Sequence, residues 1–193
     1  MDNLANRRGL DHNVYQPAED SYLLATTCSE HIGASETVLD VGAGSGIIAD
    51  TIQQETTASV TGVDINPHAC RQTAARGIPV IQSNLLDAIQ DSSIDVIVCN
   101  PPYLPQDPGP DREDWLSTAV VGGETGREVV ELLLHDLDRV LRSDGRAYVL
   151  LSSLMDIDQV RETISSHGFT AEEIARDASF PFEVLIVVEL HRR

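Results

Sequence analysis

At 193 residues the chain has room for one well-buried domain and is too short for two ordinary ones, so a single domain spanning 1–193 is expected. No stretch approaches the roughly 18 uninterrupted apolar residues of a membrane span. Met1 to Asp11 lacks the apolar core of a secretory signal, and a cytoplasmic protein is expected. Thirty-one acidic residues face 13 basic ones, all of them Arg, for a formal net charge of -18. Such a surface stays soluble in high salt, where self-repulsion is screened, and reads as halophilic; the rival reading is a surface made for a basic partner. Either way few cations are available for phosphates, which argues against direct nucleic-acid binding.

Taken in chain order, helix-like and strand-like patterns alternate, as in an α/β fold with a mostly parallel sheet. Pro17 to about His31 reads as a helix with Leu23, Leu24 and Cys28 on one face. Glu36 to Val41 is a strand ending in a glycine-rich turn, and Ile47 to Gln54 opens the next helix. Ser59 to Val63 is a second strand; Pro67, at a first helical position, starts a helix to Arg76. Val80 and Ile81 make a brief third strand, and Ile94 to Cys99 has the near-continuous apolar run of a central parallel strand. From Asn100 to Val121 the pattern dissolves into Pro, Asp and Gly, giving a loop long enough that a functional role is expected. Glu124 to Leu141 reads as an amphipathic helix, Arg146 to Leu151 as a strand and Asp156 to His167 as a helix. Phe169 to Ala175 and Val184 to Glu189 close the chain as two strands with Pro181 between them. Cys28, Cys70 and Cys99 form no CxxC pair and read as buried thiols, and the six histidines are scattered, so no metal site is expected.

Two sites carry the chemistry. Asp40-Val41-Gly42-Ala43-Gly44-Ser45-Gly46 lies between a strand and a helix, where glycines let the backbone turn and approach a ligand. The spacing is GxGxG rather than GxGxxG, and no P-loop lysine exists. Asp64, at the end of the next strand and about 20 residues past the loop, is placed to bind both ribose hydroxyls of a nucleoside. A structural turn and a helix cap are the plain alternatives for these two features.

The second site is Asn100-Pro101-Pro102-Tyr103, directly after the fourth strand. Consecutive prolines forbid helix and ladder bonding and leave carbonyls for the cleft. A planar –NH2 needs two acceptors, and the Asn100 side-chain oxygen with the Pro101 carbonyl supplies them. Holding both hydrogens aims the nitrogen lone pair at a sulfonium methyl, while Tyr103 packs on the flat target. Positioning and electrostatics then suffice, without a general base.

These residues resemble the HemK-like protein-glutamine methyltransferases, within the Rossmann-like class I methyltransferases that use S-adenosyl-L-methionine. The resemblance runs through Tyr15-Gln16-Pro17-Ala18-Glu19-Asp20-Ser21, the Asp40 to Gly46 loop, Asp64-Ile65-Asn66-Pro67, the Asn100 to Tyr103 corner and Gly122-Gly123-Glu124-Thr125-Gly126-Arg127-Glu128; apart from it, the first of these reads as a helix start and the last as a turn plus helix cap. It implies a seven-stranded, mostly parallel sheet with helices on both faces and an antiparallel C-terminal strand. It also implies methylation of the glutamine in the Gly-Gly-Gln motif of a class I translation termination factor. Cofactor residues carried over by resemblance are Ser21, Asp40, Gly42, Gly44, Asp64, Asn84, Leu85 and Asn100. Asn84 stands where the family usually has an acid for the adenine amino group, with Asp87 a nearby substitute.

Only about 35 residues (an N-terminal extension and helix) precede the first strand, so the chain resembles the short archaeal and eukaryotic branch. That branch works with a small zinc-ribbon activator, a heterodimer partner paired along the sheet edge near Val80 and Ile81. The zinc would belong to the partner. An N6-adenine methyltransferase of DNA or RNA is the first alternative, since an adenine amino group suits the same corner. The 100–121 loop, with Asp107, Asp111, Glu113 and Asp114 against Arg112, lacks the basic stripe that reading needs. A protein-lysine methyltransferase and a non-catalytic nucleoside-binding subunit are further alternatives.

Overall fold

Four apolar runs form parallel strands in the computed structural model, which describes residues 13–106 and 115–193. They are β1 (Thr37–Val41), β2 (Ser59–Asp64), β3 (Val80–Gln82) and β4 (Ile94–Cys99). With β5 (Leu141–Ser152), β6 (Phe169–Phe180) and β7 (Glu183–Arg192) they build a seven-stranded sheet ordered β3-β2-β1-β4-β5-β7-β6. Strand β7 runs antiparallel to both neighbours, so the expected mostly parallel sheet with an antiparallel C-terminal strand is present. The short β3 pairs only with β2 and forms one edge.

Each face of the sheet has its own core. Helices α1 (Glu19–Ser29) and α2 (Ile47–Glu55) bury Leu24, Ala25, Cys28, Ile48 and Ile52 against one face. The other face is covered by α5 (Glu128–Val140) and α6 (Ile157–Ser166). In α5 the apolar residues recur at helical spacing, so Val130, Leu133, Leu134, Leu137 and Val140 all point inward. Each such side chain stabilises the fold by roughly 1.5–3 kcal/mol relative to exposure. Helix α3 (Pro67–Ala75) follows β2; Pro67 opens it and the Asn66 side chain accepts from the His68 N–H, so the capping role falls to Asn66 and not to Asp64. Turns join β3 to β4 with no helix between them.

Three expectations are corrected. The 100–121 segment is not all loop: Trp115–Val120 forms a short helix, α4, and Leu104 bridges Val121. The loop acids Asp107, Asp111, Glu113 and Asp114, and Arg112, lie outside the described residues, as does Met1 to His12. The long helix begins at Glu128 rather than Glu124, because Gly123 (φ 102°) and Gly126 (φ 79°) hold the left-handed region and interrupt helical geometry. Glu128 folds back to accept from the N–H groups of Thr125 and Arg127, closing that turn. Finally Cys28 and Cys99 are buried as expected, whereas Cys70 is only half-buried.

Candidate active site

Strand register assembles the site. Val63, Val41 and Cys99 sit opposite one another on β2, β1 and β4. The next residues, Asp64, Gly42 and Asn100, therefore emerge together at the carboxyl ends of the strands, where open α/β sheets bind ligands. The glycine loop is tied to β2 by backbone bonds: Gly42 N–H and Ala43 N–H both donate to the Val63 carbonyl, at 2.8 and 3.0 Å. Asp64 is locked from two sides, its Oδ2 accepting from Gly44 N–H and its Oδ1 from Asn66 N–H, both at 2.8 Å. Burial pushes its carboxyl above the usual range, and those backbone donors oppose the shift. Gly42 adopts φ 75°, and a Cβ placed on it would meet nothing within 4 Å, so the ground above the loop is open.

That open ground is a cavity of about 290 Å³. Ser21, Gly42, Gly44, Asp64, Asn84, Leu85, Asn100, Pro101, Pro102 and Tyr103 all line it, so the structure brings these sequence-predicted residues together. Asp40 does not line it. Its carboxyl lies fully buried behind the loop and accepts from Ala49 N–H at 3.2 Å, while Oδ1 has no partner. Burial pushes its pKa up to about 7. Asn84 is on the wall and Asp87 is not; the Asn84 Nδ2 donates to Asp87 Oδ2 at 3.4 Å, which leaves the Asn84 oxygen as the free end. Leu85 holds φ 42°, a left-handed conformation that strains a branched residue at the cavity wall.

The proline corner forms the other end of the cavity. Asn100 Nδ2 donates to Asp20 Oδ2 at 3.0 Å, and Asn100 Oδ1 is buried without a partner. Among the described residues neither the Pro101 nor the Pro102 carbonyl accepts a backbone hydrogen bond. Tyr103 packs at the seam of both cores; burial first, then Asp20 and Glu183, drives its phenol pKa far up, so it stays neutral. The Gly-Gly…Gly segment fits closely against this corner. A Cβ at Gly122 would collide with the Pro102 carbonyl, and one at Gly126 with the Tyr103 carbonyl. Those glycines are thus required by backbone contact. Sequence reasoning missed this role, and it gave Asp20, quoted in the Tyr15 to Ser21 stretch of the resemblance, no role of its own; distance in sequence hid the contact, since Asp20 and Asn100 are 80 residues apart.

Beyond the corner the rim turns apolar, with Leu104, Trp115, Val129 and Leu132 on it, and no Arg lines the cavity among the described residues. A site of this kind can hold a nucleoside at the glycine end and a planar nitrogen at the proline end.

The comparisons agree with this geometry. The family described as "Methyltransferase small domain" matches residues 16–109. A chain of Methanocaldococcus jannaschii described as a protein N5-glutamine methyltransferase is 32% identical over 189 residues, covering 95% of this chain and 94% of its own. Among solved structures, the E. cuniculi Mtq2-Trm112 complex, responsible for methylating the termination factor eRF1, is similar with a TM-score of 0.76 at 24% identity, over 94% of this chain and 99% of the other. A Geobacter sulfurreducens S-adenosylmethionine-dependent methyltransferase, solved with S-adenosyl-L-homocysteine, has a TM-score of 0.62 at 13% identity, over 98% and 97%. With relatedness at that level across nearly its whole length, the chain belongs to the protein N5-glutamine methyltransferase family, enzymes of the class I, S-adenosylmethionine-dependent fold.

Proposed function

We propose that the chain methylates the side-chain amide nitrogen of the glutamine in the Gly-Gly-Gln motif of a class I translation termination factor. One observation carries this reading: Asn100 is tethered through its Nδ2, so its Oδ1 remains as a buried acceptor with no partner. A buried acceptor without a partner costs free energy unless a donor arrives, and a primary amide brings two N–H groups. Asn100 Oδ1 and the Pro101 carbonyl take those hydrogens and Tyr103 stacks on the amide plane. The nitrogen lone pair is thereby directed at the cofactor. S-adenosylmethionine, when bound, supplies a methyl group on a sulfonium that is already activated. Transfer would form the N–C bond as the S–C bond breaks, and one amide hydrogen would leave as a proton to water.

Asp64 would hold the ribose hydroxyls through lone pairs left by its backbone donors, and Asn84 Oδ1 would accept from the adenine amino group. Gly42 and Gly44 leave room for the amino-acid arm, beside Ser21. Leu85 contributes its backbone, and Asp40 supports the loop from behind. The 100–121 segment, with its apolar rim, would seat the substrate backbone.

A small zinc-ribbon activator is proposed at the β3 edge. Ile81 is exposed there, and a shallow hollow over β1, β2 and β3 is lined by Leu39, Ile81, Ile89 and Ile94. Between β3 and β4 a turn segment rather than a helix covers that face, with Leu86 and Ile89 buried, and the short β3 is left as an edge a partner could pair with. The acidic composition supports a salt-rich cytoplasm as the working compartment, and among the described residues no helix is long and apolar enough to cross a membrane.

The test is methyl transfer from labelled S-adenosylmethionine in molar salt, with the activator present, to an intact termination factor and to one whose Gly-Gly-Gln glutamine is replaced. Label on the intact factor alone supports the reading. Label on nucleic acid and on neither factor would transfer the enzyme to the adenine class.

A further inference from the structure

We propose that Asp20 is a positioning residue that sets the orientation of the Asn100 amide for methyl transfer. The inference rests on the reading of Asn100 as the acceptor of the substrate nitrogen. Asp20 lies in the first turn of α1 and is only 4% exposed. Both of its oxygens are committed. Oδ1 accepts from Ser21 N–H at 2.6 Å and from the Ser21 hydroxyl at 3.2 Å. Oδ2 accepts from Asn100 Nδ2 at 3.0 Å and from the Tyr15 hydroxyl at 3.4 Å. A carboxyl held by donors on both oxygens cannot swing away, so it offers Asn100 a fixed acceptor.

An asparagine side chain has two faces of nearly equal shape and opposite polarity. Only the Nδ2 face can meet Asp20; the reverse would set two acceptors against each other, with the Asp20 carboxyl buried. The Oδ1 is therefore forced to the free side, where it has no partner of its own. Asp20 thus decides that the corner accepts hydrogen bonds rather than donating them. That choice selects a substrate nitrogen carrying hydrogens over a carbonyl or an imine. The carboxyl also polarises the amide from behind, which strengthens Oδ1 as an acceptor while positive charge builds on the nitrogen.

The arrangement can be taken apart and rebuilt. Asp20→Ala frees the Asn100 amide to rotate, and kcat is expected to fall on the order of 100-fold from misorientation, with the cofactor Kd within about threefold. Asn100→Asp alone places two carboxyls against each other and is expected to lose transfer. The double variant D20N/N100D restores one donor–acceptor pair in the reverse sense: the new amide at position 20 donates to the new carboxyl at position 100, whose second oxygen is again a free acceptor. Transfer by the double variant is expected to exceed that of N100D about tenfold or more, a rescue no merely structural role for Asp20 provides.

Orientation can also be read with no substrate. The side-chain amide signals of Asn100 in 15N spectra must shift on Asp20→Ala while the backbone spectrum stays folded. A kcat for Asp20→Ala within twofold of the unmodified enzyme, unmoved Asn100 amide signals, or a double variant no better than N100D would each overturn the proposal. Failure of the glutamine reading shows itself separately, as an unmodified enzyme that leaves termination factor unlabelled while the amide signals still report on Asp20.

Discussion

Asn100 and Asp64 emerge on the same line across the sheet yet face different tasks, and single substitutions separate them. Asn100→Ala removes the free acceptor; transfer should fall on the order of 100-fold or more while calorimetry finds cofactor affinity within about threefold. Asp64→Ala removes the acid that the glycine loop grips, and cofactor affinity should drop roughly 10- to 100-fold, the scale of losing charge-assisted hydrogen bonds. Asp40 makes a different prediction, in stability. Its native pKa, raised to about 7 from 3.8 by burial, means that the folded state keeps a proton the unfolded chain has already released. Its contribution is fully present below pH 3.8 and is lost as pH rises toward 7. Asp40→Asn should flatten that part of the pH–stability profile, read by denaturant unfolding at pH 4 and pH 7; an unchanged slope would show the carboxyl is not what titrates there. At this scale the glycine loop, Asp64 and the Asn100 corner were legible in the sequence, because each follows a strand and strand ends converge. Asp20 was not, since nothing local in its helix start betrays a partner 80 residues away.

Among elements, the strands and most helices announce themselves through periodicity, and their ends through caps such as Asn66 and Asp156. Periodicity alone runs α5 back to Glu124, whereas the Gly122 to Glu128 stretch by itself reads as a turn plus helix cap, and the left-handed glycines bear that turn out. Periodicity also could not supply α4, whose six residues carry no buried side chain to create a pattern. The turn exists to let Gly122 lie against the Pro102 carbonyl. Gly122→Ala should therefore cost about 1–3 kcal/mol of overpacking and lower transfer more than cofactor binding, seen by pairing thermal melts with activity. Strand β3 gives the complementary test. Ile81 is exposed at the sheet edge and away from the cavity, so Ile81→Arg should change the stability of the isolated chain by less than about 0.5 kcal/mol. It should abolish co-purification with the activator; retained binding would place the partner elsewhere.

Over the whole molecule, charge dominates. Most described arginines are already engaged by carboxyls, including Arg146 with Glu36 and Glu189, Arg139 with Asp91 and Asp136, and Arg192 with Asp138. The remaining acidic excess repels itself, and salt relieves it. Raising KCl from 0.1 to 2 M should raise Tm, each 1 kcal/mol relieved being worth about 2–4 °C at this size; a falling Tm would contradict a salt-adapted surface. The same acidic excess surrounds the cavity, whose lining carries Asp20 and Asp64.

The chemical identity of the methylated atom tests the central claim most directly. Termination factor labelled by the enzyme, with the proposed activator present, would be digested and the labelled residue subjected to strong acid. An N-methylated glutamine amide hydrolyses to glutamate and labelled methylamine, the expected result. Label retained on an amino acid that survives acid, as methyllysine does, would contradict the amide reading of the Asn100 corner.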